Sequence, residues 1–363
     1  MMTEENIRKL ATIRRIKEIK PHPNADKLDI AIVDGWQLVT AKDNGFSAGD
    51  LIIYFEIDSW IPTEIASFLS KGKEPREHNG VKGERLRTIR LRGELSQGLI
   101  IPISDALIAE SKSVNSLDIP EIAEGVDITE LLGIQKWEKA IPAHLQGRVR
   151  GNFPSFIRKT DQERVQNLVN KIFNDWKDDY FEVSLKLDGS SCTVYYYEGR
   201  VGVCSRNLEL EITDDNKDNS FVRAAYDSGL VFALESLGMN IAVQAELMGP
   251  GIQGNREGLN DLHLFMFDVF DIDKQEYLGT NARYEIFDNL IDRGVDPNRF
   301  QQVPIYGVLQ PNVFNDVNDI LKSAEGQSLN HNVREGIVFK SLSNPNRSFK
   351  AISNNFLLKE NYD

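Results

Sequence analysis

The chain has 363 residues, of which 41% are hydrophobic and 27% charged, a composition typical of a globular protein with room for two domains. The formal net charge of −13 excludes a general coat for nucleic acid, although it leaves room for a local basic patch. No apolar run approaches the roughly 20 residues of a membrane helix, and the N-terminus lacks the pattern of a signal peptide. The two cysteines, Cys192 and Cys204, are too few for a disulfide framework or a zinc site. We therefore expect a cytoplasmic protein with no membrane partner and no obligatory protein partner.

Short β-rich runs fill the first hundred residues. They are separated by turn residues and comprise 28–41, 50–58, 85–93 and 98–103. This spacing predicts a small barrel or sandwich.

A dense basic patch lies inside this region. Between Lys71 and Arg92 eight basic residues stand against three acidic ones, although the chain as a whole is acidic. The patch is either a solvated surface or a groove for nucleic-acid phosphates, and its density favours the groove. We therefore predict that nucleic acid contacts Arg85, Arg87, Arg90 and Arg92.

A linker and a helix are predicted next. The segment 104–135 is acidic and helix-prone, and the Gly- and Pro-containing stretch AHLQGRVRGNFPS at 143–155 is typical of a linker. Thr160 and Glu163 have the spacing of a capping box, and apolar residues follow at helical spacing as far as Trp176. The predicted domains are 1–140 and 161–363, joined by a linker at 141–160.

Strands return after Tyr180 and are interrupted by two helices. The helices are predicted at about 220–237 and 281–293, and the strands at 181–188, 191–197, 200–206, 241–249, 263–271, 335–341 and 347–353. Antiparallel strands mixed with helices predict an α+β domain.

A lysine and an acid share one face of the strand that ends in KLDGSS, residues 186–191. Alternation places Lys186 and Asp188 on one face, whereas Leu185 and Leu187 point into the core. Gly189 permits a sharp turn beside them. Taken alone, this is an exposed strand end with a surface ion pair.

Further polar residues are embedded in apolar strands. Glu246 in AVQAELMG is a lone carboxylate, which is costly unless it is paired or bound to metal. The others are Arg206, Phe267-Asp268, Glu335-Gly336 and Lys350. Each alone has a bland explanation as a strand-edge polar residue or a core aromatic, but together and in this order they indicate a specific site.

These segments resemble the ordered motifs of the covalent nucleotidyltransferases, which are DNA ligases, RNA ligases and mRNA capping enzymes. The matching segments are KLDGSS at 186–191, SRN at 205–207, AELMG at 245–249, FMFDVF at 265–270, EGIVFK at 335–340 and SFK at 348–350. The DNA ligases and capping enzymes carry an OB barrel after the last motif, and we expect none here because 13 residues follow Lys350. An extra β-rich domain before the motifs resembles the Deinococcus/Naegleria-type RNA ligases, which place an OB domain N-terminal to a nucleotidyltransferase domain. HPNADKL at 22–28 is similar to OB modules that bind tRNA.

The resemblance implies an ATP-dependent RNA ligase. It would join a 3′-hydroxyl end to a 5′-phosphate end of RNA or an RNA-containing nicked duplex, through lysyl-AMP and an adenylylated end, in nick or break repair. Lys186 would carry AMP, and Asp188, Glu246 and Glu335 would hold Mg²⁺ or Mn²⁺. The other implied roles are neutralisation of phosphates by Arg206 and Lys350, and nucleotide binding by Gly189, Arg164, Phe267 and Lys340. Lys340 is the weaker candidate, because strict alternation puts it on the face opposite Glu335.

Some alternatives stay open. The family commonly has two lysines in its last motif, and Ser348 stands where the first would align, so either Arg347 substitutes or the alignment shifts by one. A DNA ligase or capping guanylyltransferase is disfavoured because no C-terminal barrel is expected. A non-catalytic RNA- or tRNA-binding OB-fold protein is disfavoured by the presence of Lys186, Glu246 and Glu335.

Overall fold

The computed structural model describes residues 8–104, 122–138 and 148–359. The chain forms two compact units, one built from Met1–Lys139 and Leu357–Asp363 and the other from Ala140–Phe356. Within the ranges described, no helix is long and apolar enough to cross a membrane.

In its described residues the first unit is made mainly of strands, with a short α-helix at Thr63–Ala66 and 3₁₀ turns at Lys42–Asn44 and Ser67–Ser70. Its described strands are β1 (Ala11–Pro21), β2 (Leu28–Val33), β3 (Trp36–Ala41), β4 (Leu51–Phe55), β5 (Ser59–Pro62), β6 (Arg76–His78), β7 (Val81–Arg85), β8 (Ile89–Leu91), β9 (Glu94–Ser96), β10 (Leu99–Pro102) and β11 (Gln135–Lys136). These strands pair in the orders β10-β4-β1-β2-β3, β11-β5-β7-β6 and β8-β9.

The long strand β1 organises this unit. Its first half pairs with β4 and its second half with β2, with an irregular register between Ile16 and Glu18. Such an irregularity bends a strand and increases its twist, so β1 takes part in two stretches of a curled sheet. The prediction of an OB-like N-terminal domain is confirmed.

The strands described in the second unit are β12 (Val149–Asn152), β13 (Glu163–Arg164), β14 (Phe181–Lys186), β15 (Ser190–Tyr197), β16 (Arg200–Cys204), β17 (Leu208–Leu210), β18 (Ile241–Met248), β19 (His263–Asp271), β20 (Glu276–Tyr277), β21 (Phe300–Gln302), β22 (Ile305–Leu309), β23 (Gly336–Ser341) and β24 (Ser348–Ile352). These strands form two sheets. The larger has the order β12-β17-β16-β15-β18-β19-β20, with β21 beside β19, and the smaller has the order β13-β24-β23-β14-β22.

Helices cover part of the larger sheet. The helices of this unit are Ser220–Asp227, Leu230–Leu237, Thr280–Asp292 and Val317–Ser323, and Asn354–Lys359 follows β24. Leu234 and Leu290 pack with the strand residues Val194, Val243 and Leu264 in one buried cluster. Mixed sheets and helices confirm the predicted α+β class.

The predicted helix after residue 160 is present only in its second half, and its predicted cap is wrong. Glu163 and Arg164 form β13 and pair with β24, a 3₁₀ turn follows at Val165–Asn167, and helical residues run from 169 to 175, of which Lys171–Asp175 form a π-helix. The Thr160 hydroxyl contacts the side chain of Gln244, and the Glu163 carboxylate accepts from the Arg164 N–H. Both capping groups are therefore used in other contacts.

The stretch predicted as a linker, residues 141–160, also differs from the prediction where the structure describes it. Residues 141–147, like most of the acidic segment 104–135, lie outside the described residues. Val149–Asn152 form β12, which pairs with β17 in the larger sheet. The Phe156 ring stacks on Tyr197 at 4.5 Å between centroids, so 148–160 belongs to the second unit.

Candidate active site

Lys186 is the last residue of β14, which lies between β23 and β22 in the smaller sheet. It stands opposite Gly336 of β23, so the residue before Gly336 comes close to the lysine amine. Lys186 Nζ lies 2.7 Å from Glu335 Oε2, with 25% of the lysine side chain exposed. A cation that is sheltered yet reachable is thus paired with a carboxylate from a segment 149 residues away.

Two glycines permit close approaches around this pair. A Cβ at Gly336 would overlap the Ala351 carbonyl oxygen and lie 3.0 Å from Ile352 Cα. A Cβ at Gly189 would overlap the Leu247 carbonyl oxygen and lie 2.9 Å from Cγ of Glu246. Gly189 lies at a bend between β14 and β15, as predicted, and the proximity of β18 is a further reason for a glycine there.

Glu246 lies near the end of β18 and approaches Lys186 from the larger sheet. Its Oε1 accepts a hydrogen bond of 2.9 Å from the Gly189 N–H. This bond ties the KLDG segment of the smaller sheet to the larger sheet.

Asp188 is held by an arginine that sequence reasoning missed. Arg256 Nη1 lies 2.9 Å from Asp188 Oδ2, and the Arg256 guanidinium lies 4.6 Å from the centroid of the Phe356 ring. Arg256 follows a turn in which Gln253, Gly254 and Asn255 all have positive φ. No motif marks such a contact, because the loop geometry that creates it is not visible in the sequence.

Three carboxylates shape the electrostatics of this site. Burial disfavours the charged form of Lys186, but Glu335, Glu246 and Asp188 outweigh it, so the lysine pKa is raised. Burial raises the pKa of Glu246 to about 8 although Lys186 opposes the shift. Burial and Glu335 together raise the pKa of Asp188 to about 6 against the effect of Arg256. Burial thus disfavours the charged forms of Asp188 and Glu246, and the charge of Glu335 adds to this effect.

Two further cations share one carboxylate. Lys350 Nζ lies 3.0 Å from Asp161 Oδ1, and Arg206 Nη2 lies 3.4 Å from Asp161 Oδ2. Arg164 is buried and stands beside Lys350 where β13 and β24 pair in parallel. The structure therefore brings Arg206, Lys350 and Arg164 together, and Asp161 is a second residue that sequence reasoning missed.

Arg347 has a different neighbour. Its Nη1 lies 3.4 Å from Asp179 Oδ2, and Asp179 also accepts from the hydroxyls of Ser341 and Ser343. Arg347 is therefore paired with Asp179 and does not replace the lysine that the family commonly has at the position of Ser348.

Lys340 lies on the same face of the smaller sheet as Lys186, although strict alternation placed it on the face opposite Glu335. Register pairs Lys340 with Glu182 and Lys186 with Gly336, so even-numbered residues of both strands share a face. Glu335 precedes the strand, where alternation does not apply. Lys340 Nζ is buried 2.7 Å from Asp268 Oδ1 and donates to the Phe267 carbonyl. Burial lowers the pKa of Lys340 although Asp268 opposes the shift.

Phe267 packs against the apolar residues of the segment that carries Lys186. It packs with Leu185, Leu187 and Met248 in one apolar cluster. The Lys340 amine lies 5.5 Å from the centroid of its ring.

The four arginines of the basic patch belong to the first unit and differ in environment. Arg85 pairs with Asp58 at 2.6 Å, and its guanidinium lies 3.7 Å from the centroid of a Trp137 ring. Burial and the neighbouring Arg85 and Arg76 lower the pKa of Arg87. Arg90 and Arg92 are exposed on the β8–β9 hairpin.

The HPNADKL segment supports this hairpin. His22 Nε2 lies 3.0 Å from the Leu91 carbonyl oxygen, and its Nδ1 accepts from the Asn24 N–H. The Asn24 side-chain amide donates to the Arg92 carbonyl oxygen at 3.1 Å. The motif thus holds the chain at the turn between β8 and β9.

An OB domain joined to a two-sheet domain, with a strand-end lysine among carboxylates and cations, is the architecture of a covalent nucleotidyltransferase. Two family models match the chain: an OB-fold domain at residues 10–103 and RNA ligase at residues 179–352. A search of curated proteins returned no match.

Solved structures extend the match to nearly the whole chain. Naegleria gruberi RNA ligase with pyrophosphate is 43% identical, with a TM-score of 0.86 over 98% of this chain and 100% of that chain. A single-residue variant of the same ligase with ATP and Mn gives a TM-score of 0.86 over 99% and 100%, and another with AMP and Mn gives 0.84 over 96% and 98%, both at 43% identity. The chain belongs to the RNA ligase family, which confirms the prediction of an RNA ligase and hence of an enzyme.

Proposed function

We propose that Lys186 is the nucleophile that accepts AMP from ATP. Its Nζ would attack the α-phosphorus, forming a P–N bond while the bond to the β-phosphate oxygen breaks and pyrophosphate leaves. The observation that carries this proposal is the position of Lys186, which is paired with Glu335 at 2.7 Å and still a quarter exposed. An amine at a strand end, sheltered but reachable, suits attack on a bound nucleotide.

The amine must lose its proton before it attacks, and its raised pKa opposes this. Glu335 is the nearest base and stands at hydrogen-bond distance from Nζ. Pairing with Glu335 also fixes the lysine rotamer, so the nucleophile is positioned before ATP arrives.

The carboxylates of this site fit a divalent cation. Asp188, Glu246 and Glu335 supply the oxygen ligands that Mg²⁺ and Mn²⁺ prefer. The pKa values of Asp188 and Glu246 are raised first by burial and then by the charge of Glu335, and a bound cation would oppose both effects. Among the described residues, no group of three His, Cys, Asp or Glu side chains closes on a metal directly. We infer that these three residues hold the ion through water. When bound, it would lower the lysine pKa and offset the charge that develops on the phosphoryl oxygens.

The other contacts follow from the surrounding side chains. Arg206 and Lys350 would neutralise phosphates, and Arg164 would support them from β13. Phe267 would lie against adenine, and Asp188 would hold the ribose. Lys340 would act indirectly, by fixing the backbone at Phe267.

We further propose that AMP passes to the 5′-phosphate of an RNA end. A 3′-hydroxyl would then attack that phosphate and expel AMP, sealing a nick or break during RNA repair. Arg87, Arg90 and Arg92 would contact the backbone phosphates of the substrate, whereas Arg85 would support the surface through Asp58 and Trp137. The exposure of Arg90 and Arg92 supports this division.

Labelling with radioactive ATP tests the proposal. Label in the α-phosphate should remain on the denatured protein and be lost in acid, whereas γ-label should not be retained. Lys186→Ala should abolish the adduct, and Lys186→Arg should also fail because a guanidinium stays protonated. A labelled Lys186→Ala protein, or a preference for GTP over ATP, would contradict the assignment.

A further inference from the structure

Asp161 lies between two cations that come from different sheets of the second unit. Lys350 belongs to β24 of the smaller sheet, and Arg206 follows β16 of the larger sheet. Each cation contacts a different carboxylate oxygen, Lys350 at 3.0 Å and Arg206 at 3.4 Å. One carboxylate therefore bridges the two sheets.

This arrangement has the chemistry of an anion site. A carboxylate that presents one oxygen to a lysine and the other to an arginine makes the charge-assisted contacts that two oxygens of a phosphate make. We propose that Asp161 is an internal substitute for phosphate, which keeps Arg206 and Lys350 in place and is displaced when the phosphates of ATP enter. The inference rests on the proposed role of these two cations in phosphate binding.

The exposure of these groups permits such an exchange. The side chains of Asp161, Lys350 and Arg206 are 26%, 15% and 44% exposed, so water and ligand reach the ion pairs. The buried pair of Arg283 with Glu182 is different, because both side chains are at most 4% exposed. A partly exposed ion pair contributes little stability, and polyphosphate with several negative charges competes well against a single carboxylate.

The presence of Asp161 where phosphate would bind has a benefit and a cost. Without an anion between them, Arg206 and Lys350 would repel each other, and their side chains would lose the arrangement that phosphate requires. With Asp161 in place, each phosphate must first break two ion pairs. The wild-type chain therefore binds polyphosphate more weakly than its two cations would otherwise allow.

Binding of inorganic pyrophosphate to the full chain tests this cost, measured by isothermal titration calorimetry. Asp161→Asn should bind pyrophosphate about fivefold more tightly, the scale of one partly exposed ion pair. Arg206→Ala and Lys350→Ala should each bind it about tenfold more weakly. The KM for ATP in adenylylation should fall in Asp161→Asn without a rise in kcat.

Glu163→Gln is a matched control. It removes the same charge from the same segment, but Glu163 contacts the Arg164 N–H and the Asn167 side chain, and Gln retains an acceptor for both. Its pyrophosphate affinity should stay within about twofold of wild type, since only long-range charge changes. If Glu163→Gln tightened binding as much as Asp161→Asn, a general charge effect would explain both and our inference would fail.

The remaining outcomes separate this inference from the proposed function. Unchanged or weaker binding by Asp161→Asn, with weaker binding by Arg206→Ala and Lys350→Ala, would overturn the substitute role and leave the phosphate site intact. Normal binding by both cation variants would remove the phosphate site and the inference with it. If Asp161→Asn did not fold, Asp161→Ser would remove the same charge with a smaller side chain, and the same outcomes would apply.

Discussion

Replacing Gly336 by alanine should impair the active site by displacing the backbone around Glu335. Gly336 stands opposite Lys186 and directly follows Glu335, and its α-carbon faces the Ala351 carbonyl oxygen of β24. In Gly336→Ala the new Cβ overlaps backbone atoms, which a change of rotamer cannot relieve. The Ser353 N–H donates to the Glu335 carbonyl oxygen at 2.9 Å, so β24 must move away and carry Glu335 with it.

The magnitude follows from the cost of overpacking. Inserting a methyl group into a closely packed region costs about 1–3 kcal/mol, and each kcal/mol lowers the Tm of a unit of this size by roughly 2–4 °C. A displacement of about 1 Å at a catalytic group lowers rates by about 100-fold. We therefore expect a modest loss of stability and a much larger loss of Lys186 adenylylation.

Thermal melting and single-turnover adenylylation would be measured on the same preparations. Gly151→Ala is the matched control, because Gly151 lies in β12 without a positive φ, and a Cβ added there would meet no atom within 4 Å beyond its chain neighbours. It should change stability by less than about 0.5 kcal/mol and leave adenylylation unchanged. If Gly336→Ala melted and reacted like wild type, the claim that close packing between β23 and β24 positions Glu335 would be refuted.

Three further predictions concern residues outside this contact. Lys340→Met should destabilise the chain by about 3–5 kcal/mol, because Asp268 is left buried without its cation; normal melting with weak ATP binding would instead support a phosphate contact. Replacing Arg90 and Arg92 by Ala should reduce the slope of log affinity against log salt for an RNA duplex by roughly 1.4–1.8 while Lys186 still takes label; an unchanged slope would exclude these arginines from the substrate surface. Arg85→Ala should lower the Tm through loss of its contacts with Asp58 and Trp137, and a variant that melts normally but binds RNA poorly would assign Arg85 to the substrate surface.

Patterns within single strands predicted most of the architecture. Runs rich in apolar residues placed β14, β18, β19 and β23 correctly, because each of these strands is buried over almost its whole length. The capping-box pattern at Thr160 and Glu163 failed because the Thr160 hydroxyl contacts Gln244, 84 residues away, and Glu163 lies in a strand that pairs with β24. Local signals compete with tertiary contacts, and a single sequence contains only the local signals.

The residues of the candidate site also fall into two groups, those that strand patterns predict and those that only tertiary contacts reveal. Lys186, Glu246 and Glu335 stand out as polar residues in apolar strands, and the structure brings all three together. Asp161 and Arg256 come from segments without regular periodicity, and their partners lie 189 and 68 residues away in the sequence. Their roles depend on how loops close over the strands, so composition and spacing carry no trace of them.

Mapping the adduct by mass spectrometry tests the central claim most directly. The wild-type chain, incubated with ATP and Mg²⁺ and then digested, should carry AMP on the peptide that contains Lys186 and on no other peptide. A chase with a nicked RNA duplex bearing a 5′-phosphate and a 3′-hydroxyl should remove that AMP as sealed strand accumulates, in equal amounts. AMP on another lysine, or sealing by a protein whose Lys186 never carries AMP, would contradict the account.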